Sequence, residues 1–177
     1  MKSIRSWLGL EDVPSAEPTQ ASPLRELVNA LDLLDEGRAR YLARFAYLLG
    51  RVAHADRHVS PEETRAMEAL VMEEGQLSAE QAMLVVTLAK SSNLLFGGTA
   101  DFIVAQEFAE HATYPEKLAL VRCLFAVSAT DAAISMAEEA EIHRIANQLR
   151  IDPPDLIALR VAHRQYLPGL SGDGKKA

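Results

Sequence analysis

Apolar residues recur at three- and four-residue steps over most of the chain, the spacing of one face of an α-helix. Ser22 precedes Pro23 as a capping residue before a proline at the first helical position. Leu24, Leu27, Val28, Leu31 and Leu34 follow at helical spacing, and Gly37 ends this first predicted helix. A second runs from about Arg38 to Ala55, with Tyr41, Leu42, Phe45, Leu48, Leu49 and Val52 on its apolar face. A third starts after Ser60, carries Met67, Leu70 and Val71, and stops near Gly75. Ser78 caps a fourth, with Met83, Leu84 and Leu88. Asn93 and Gly97-Gly98 break the chain, and a fifth helix spans about Ala100 to His111. Pro115 starts a sixth, with Leu118, Val121, Leu124, Phe125 and Val127. Ser135 caps a seventh, with Ile142, Ile145 and Leu149. Asp152 caps an eighth that opens on Pro153 and Pro154, carries Leu156, Leu159 and Val161, and ends at Pro168. No run alternates with period two for long. The expected fold is all-α, a compact helical domain of about seven to eight helices rather than a simple four-helix bundle.

The N-terminus reads as a separate piece. Residues 1–21 comprise a short amphipathic segment and a linker, the helical domain spans 22–168, and 169–177 form a Gly- and Lys-rich tail. Ile4, Trp7 and Leu8 share one face of a short helix flanked by Lys2 and Arg5. The linker carries Pro14 and Pro18, with Pro23 at its far edge, among Ser, Thr, Ala and acids. The segment lacks the h-region and cleavage site of a secretory signal. Its apolar face suits docking to a partner protein or a membrane surface, and a terminus that folds back on the domain is the simpler alternative. Alone it would hold a membrane only marginally.

An internal repeat runs at an offset of 75 residues. Asp56 falls on Asp131, Val59 on Ile134, Ser60 on Ser135 and Glu63 on Glu138; Met67 then falls on Ile142 and Leu70 on Ile145. With a one-residue shift, Leu77-Ser78 meets Ile151-Asp152. Each half reads helix, acidic turn, helix, short turn, helix. Two copies suggest a pseudo-twofold domain, because a solenoid needs at least three units.

Composition narrows the function classes. The 177 residues are 49% apolar and 24% charged, with a net charge of −7, which excludes global disorder. The acidic balance argues against nucleic acid, whose phosphates demand clustered Lys and Arg. No apolar run approaches the ~18 residues of a membrane-spanning helix. The single cysteine, Cys123, excludes an internal disulfide and a cysteine-rich zinc site, and on its apolar helix face it is expected to be buried and inert. There is no phosphate-binding Gly loop, no Gly-x-Ser-x-Gly elbow and no His-Glu-x-x-His motif, so the chain is expected not to be an enzyme. His54 and His58 straddle a predicted helix end, while His111, His143 and His163 stand alone.

The repeated pattern is an apolar helix, a turn Asp, a β-branched residue, Ser, two residues and Glu. It resembles the TerB family linked to tellurite resistance, over about residues 38–165. The resemblance implies an all-helical cytoplasmic domain working beside a membrane-associated resistance or stress-response complex, at the inner face of the membrane, with protein partners. It also implies a site for a divalent cation such as Ca²⁺ on the acidic turns, carried here by Asp56, Glu63, Asp131 and Glu138. The family commonly has Gly after the turn Asp, where this chain has Arg57 and Ala132. The His-Pro-Asp signature of J-domains fused to such modules is absent.

The residues themselves leave two readings of the four acids open. Ser60 with Glu63, and Ser135 with Glu138, are capping boxes, each contributing about 1 kcal/mol. Val59 and Ile134 then plug the turns onto the core. Asp56 and Asp131 sit at helix C-termini, where the dipole disfavours a carboxylate, so they either bond turn amides or ligate a cation. Ca²⁺ takes six to eight oxygens, so two carboxylates per turn need carbonyls or the other copy. An EF-hand is excluded, since Pro61 and Met67 occupy the sixth and twelfth positions counted from Asp56, where Gly and Glu are required.

Overall fold

The computed structural model describes residues 30, 33–53, 61–91 and 100–167. Among them are seven α-helices, two short 3-10 turns and no strand. The helices are α1 (Glu36–Ala53), α2 (Pro61–Gly75), α3 (Ala79–Ser91), α4 (Ala100–His111), α5 (Tyr114–Ser128), α6 (Met136–Gln148) and α7 (Pro153–Ala162). The fold is the all-α domain that the periodicity predicts.

Two helices form the centre. α1 packs against α3, α4, α5 and α6, and α5 packs against α1, α2, α6 and α7. Their apolar faces explain the arrangement. Leu42, Phe45, Leu48 and Leu49 of α1 and Leu120, Val121, Leu124 and Phe125 of α5 are sealed from solvent in one continuous core. Close approach needs small residues at the crossings. Gly75 is such a point, because a Cβ there would lie 3.3 Å from both Cys123 Sγ and Phe45 Cζ. Cys123 is buried as expected, and burial pushes its thiol up to about 12.

The helix ends show how the chain turns. Asp35 caps α1, its carboxylate accepting from the Arg38 N–H at 2.9 Å. Helix α1 therefore begins at Glu36 and Gly37 lies in its first turn, not at a helix end; Leu24, Leu27, Val28 and Leu31 of the helix predicted before it lie outside the described residues. The carboxylate of Asp35 outweighs the glycine because it satisfies an amide that the helix leaves unpaired. Ser78 caps α3 through the Gln81 N–H at 3.3 Å. The α2–α3 and α6–α7 turns share one backbone solution. Gln76 and Arg150 both take the left-handed conformation, at φ 54° and 58°. The next amide then reaches back five residues, Leu77 to Met72 O at 3.2 Å and Ile151 to Ala146 O at 3.0 Å, a Schellman closure.

Three sequence expectations are corrected. Met83 and Val161, assigned to apolar faces, are exposed, because α3 and α7 are outer helices covered on one side only. Asp152 stands at the α7 cap, but its carboxylate makes no cap bond; its carbonyl accepts from Asp155 and Leu156 instead. Helix α7 ends at Ala162, ahead of a 3-10 turn at Arg164–Tyr166, and Pro168 lies outside the described residues.

Candidate functional site

The second acidic turn is pinned from several directions. Helix α5 ends at Ser128 and tightens into a 3-10 turn over Ala129–Asp131. Thr130 Oγ1 donates to Val127 O at 2.7 Å. Ala132 then reverses the chain at φ 62°, ψ 0°. Ile134 drives its side chain into the core, as the plug reading expects, and its N–H donates to Tyr166 O at 2.7 Å. Ser135 and Glu138 close the capping box: Glu138 N–H donates to Ser135 Oγ at 3.2 Å, and Ser135 N–H to Glu138 Oε2 at 2.8 Å. Arg160 of α7 fixes Glu139 at 2.6 Å.

This geometry locates the four predicted acids unequally. Glu138 is half-buried and commits one carboxylate oxygen to the cap. Asp131 closes the 3-10 turn, and Glu63 lies in the first turn of α2; their side chains are outside the described residues, as is Asp56 altogether. Val59, Ser60, His54 and His58, and the docking residues Ile4, Trp7 and Leu8, are likewise outside them. Three residues before Asp131, the hydroxyl of Ser128 is buried without a hydrogen-bond partner. Among the described residues, no group of three or more His, Cys, Asp or Glu side chains is placed to hold a metal ion.

Ala132 makes the turn testable. A left-handed L-residue costs about 1–2 kcal/mol, while glycine adopts the conformation freely and loses more chain entropy on folding. Ala132→Gly should therefore stabilise the domain by about 0.5–1 kcal/mol, read as a higher urea midpoint at unchanged m-value. A lower midpoint would contradict the assignment of strain to this residue.

A polar network that the periodicity did not announce joins α1, α4 and α6. Arg51, in the last turn of α1, keeps a side chain only 9% exposed. Its Nε donates to Glu141 Oε1 at 2.8 Å, and its Nη1 to Gln148 Oε1 at 3.2 Å, both on α6. Asp101 of α4 approaches the same guanidinium at 4.0 Å and accepts a short hydrogen bond from Tyr47. Burial, followed by that bond to Asp101, raises the Tyr47 phenol well above its usual range. Arg144 pairs with the other oxygen of Glu141. The available signal was Arg51 itself, a charge one residue from Val52 and three from Leu48, both on the buried stripe of α1. An inward arginine demands an acid on the facing helix.

Two of the described histidines bond backbone carbonyls one helical turn earlier. His111 Nδ1 bonds Glu107 O at 2.8 Å, and His163 Nδ1 bonds Leu159 O at 3.0 Å while its ring stacks on Phe125 at 5.5 Å. His143 Nε2 is buried without a partner. No helix among the described residues is long and apolar enough to cross a membrane.

Comparison with known families gives a match over most of the described helices. The profile described as "Tellurite resistance protein TerB" aligns with residues 42–161, from the first turns of α1 to the end of α7. No curated protein and no solved structure matches the chain.

Proposed function

The chain belongs to the TerB family, and from that premise we propose that it is a non-enzymatic helical module of a bacterial tellurite, metal or stress resistance system, which binds partner proteins and takes a divalent cation such as Ca²⁺ on its acidic inter-helix turns. The observation that carries this reading is the extent of the match, which runs from Leu42 in α1 to Val161 in α7 and so covers the sequence of both acidic segments. The ligands would be Asp56, Glu63, Asp131 and Glu138. Glu138 keeps one oxygen outside its capping bond, and the unpartnered Ser128 hydroxyl lies three residues before Asp131 in the chain. A hard cation is suited by carboxylates supplemented with neutral oxygens. The module would work in the cytoplasm; the alternative reading is a structural adaptor that docks to a membrane surface or a partner protein through Ile4, Trp7 and Leu8.

The experiment is a cation titration of chelator-stripped protein read by backbone amide NMR. Ca²⁺, Mg²⁺, Mn²⁺ and Zn²⁺ are compared in the wild type and in Asp56→Asn and Asp131→Asn. Saturable shifts confined to the two turns, and lost in the variants, are the expected result. No shift at millimolar ion would leave the boxes as helix caps and end the cation reading.

A further inference from the structure

A cleft of about 450 Å³ opens at the heads of α1 and α5, the opposite end of α1 from Arg51. Arg38, Tyr41 and Arg44 line it at three-residue steps along α1, with Phe108 and His111 of α4 and Glu116 of α5; Arg40, which pairs with Glu36, also borders it. Tyr41 stacks on Phe108, with ring centroids 5.4 Å apart, so the wall between the two arginines is aromatic.

Both arginines keep capacity for a further acceptor. Arg44 is 7% exposed and bonds Glu107 through Nε and Nη2, at 3.1 and 2.9 Å. Its Nη1 takes no part in that bond, and the side chain lines the cleft. Arg38 lies 4.9 Å over the Tyr41 ring and donates through Nη2 to Gln81 at 2.6 Å. Its Nη1 reaches Glu116 Oε1 only at 4.0 Å, beyond hydrogen-bond distance. Glu116 is held away because its other oxygen accepts both the N–H and the hydroxyl of Thr113, at 2.8 and 2.7 Å. Asp35 is likewise spent on the α1 cap. The two acids lining the cleft thus serve helix N-termini, whose dipoles offset their charge.

We propose that this cleft receives an acidic peptide segment of a partner protein, its carboxylates on Arg38 and Arg44 and a neighbouring apolar side chain against Tyr41 and Phe108. Charge complementarity and the aromatic wall define the chemistry. The open shape selects a chain over a small acid, since small-molecule sites bury most of their ligand. The inference names a partner class for the protein-binding reading above and rests on it, but it is independent of the cation site.

The test titrates ¹⁵N-labelled full-length protein with acetyl-Asp-Glu-Leu-Asp-Glu-amide, its Asn/Gln counterpart, and glutarate. Saturable amide shifts at Tyr41, Arg44, Phe108 and His111 are expected with the acidic peptide. Binding should weaken at least tenfold for the neutral peptide and for Arg38→Gln, whose amide spectrum reports its fold. Arg164→Gln, at an exposed arginine on the distant 3-10 turn, should bind as the wild type does. Equal binding of the neutral peptide, indifference to Arg38→Gln, or glutarate binding as tightly as the peptide would overturn the proposal. Repeating the titration in Asp131→Asn separates the two readings: peptide binding that survives there while the cation response is lost supports the cleft on its own.

Discussion

Arg51→Met is expected to lower the unfolding free energy by about 3–5 kcal/mol, the cost of leaving a buried charge without its partner. The guanidinium faces Glu141 and Asp101, on two different helices, and Glu141 is itself only 17% exposed. Methionine fills similar volume but supplies no donor, so the Glu141 carboxylate keeps only Arg144 at its outer side. Glu141→Gln should cost less, because glutamine still accepts from Arg51. The double variant Arg51→Met with Glu141→Gln should recover part of the loss, since neither charge is then stranded. Urea denaturation of the three variants measures this. A loss below about 1 kcal/mol in Arg51→Met would mean that the pair behaves as a surface ion pair. The network ties α1, α4 and α6, so its removal should also broaden the amide resonances of the α5–α6 turn.

The second large effect is expected at Phe45. This ring is sealed at the middle of α1, tilted against Tyr41 at 5.9 Å and edge-on to Phe108 at 6.4 Å. It also sets the distance of α2, because it lies against Gly75. Phe45→Ala removes the contacts of three helices at once, and about 3–5 kcal/mol should be lost. Phe45→Leu should retain most of the stability, since it keeps the apolar volume with a smaller cavity. Thermal unfolding of the pair decides between them. Equal midpoints for the Ala and Leu variants would show that the site collapses around the missing ring and that Phe45 does not set the spacing of α1 and α2.

Much of the fold was legible because its signals are local. Capping depends on neighbours three residues apart, so Ser78 and the Ser135–Glu138 box could be read from the chain. Ile134 was legible for a related reason: an apolar residue inside an acidic turn has nowhere to go but the core. The misreadings came where two local signals competed or where burial was not local. Gly37 resembled a helix end, yet the Asp35 carboxylate two residues earlier starts the next helix there. Met83 and Val161 fitted helical periods, but a period does not say which helices lie outside.

The candidate sites divide along the same line. The chain by itself determined the helical class, the order of the described helices, the Ser135–Glu138 capping box, and the family that the match over 42–161 bears out. These follow from periodicity, caps and short motifs, all of which act within one or two helical turns. Only the tertiary structure decided that α1 and α5 are central, that Arg51 meets Glu141 ninety residues away, and that Arg38 and Arg44 open onto one aromatic cleft with α4 and α5. Such pairings are set by which faces the helices bury against one another. That choice is made by the whole core together, so no stretch of sequence displays it.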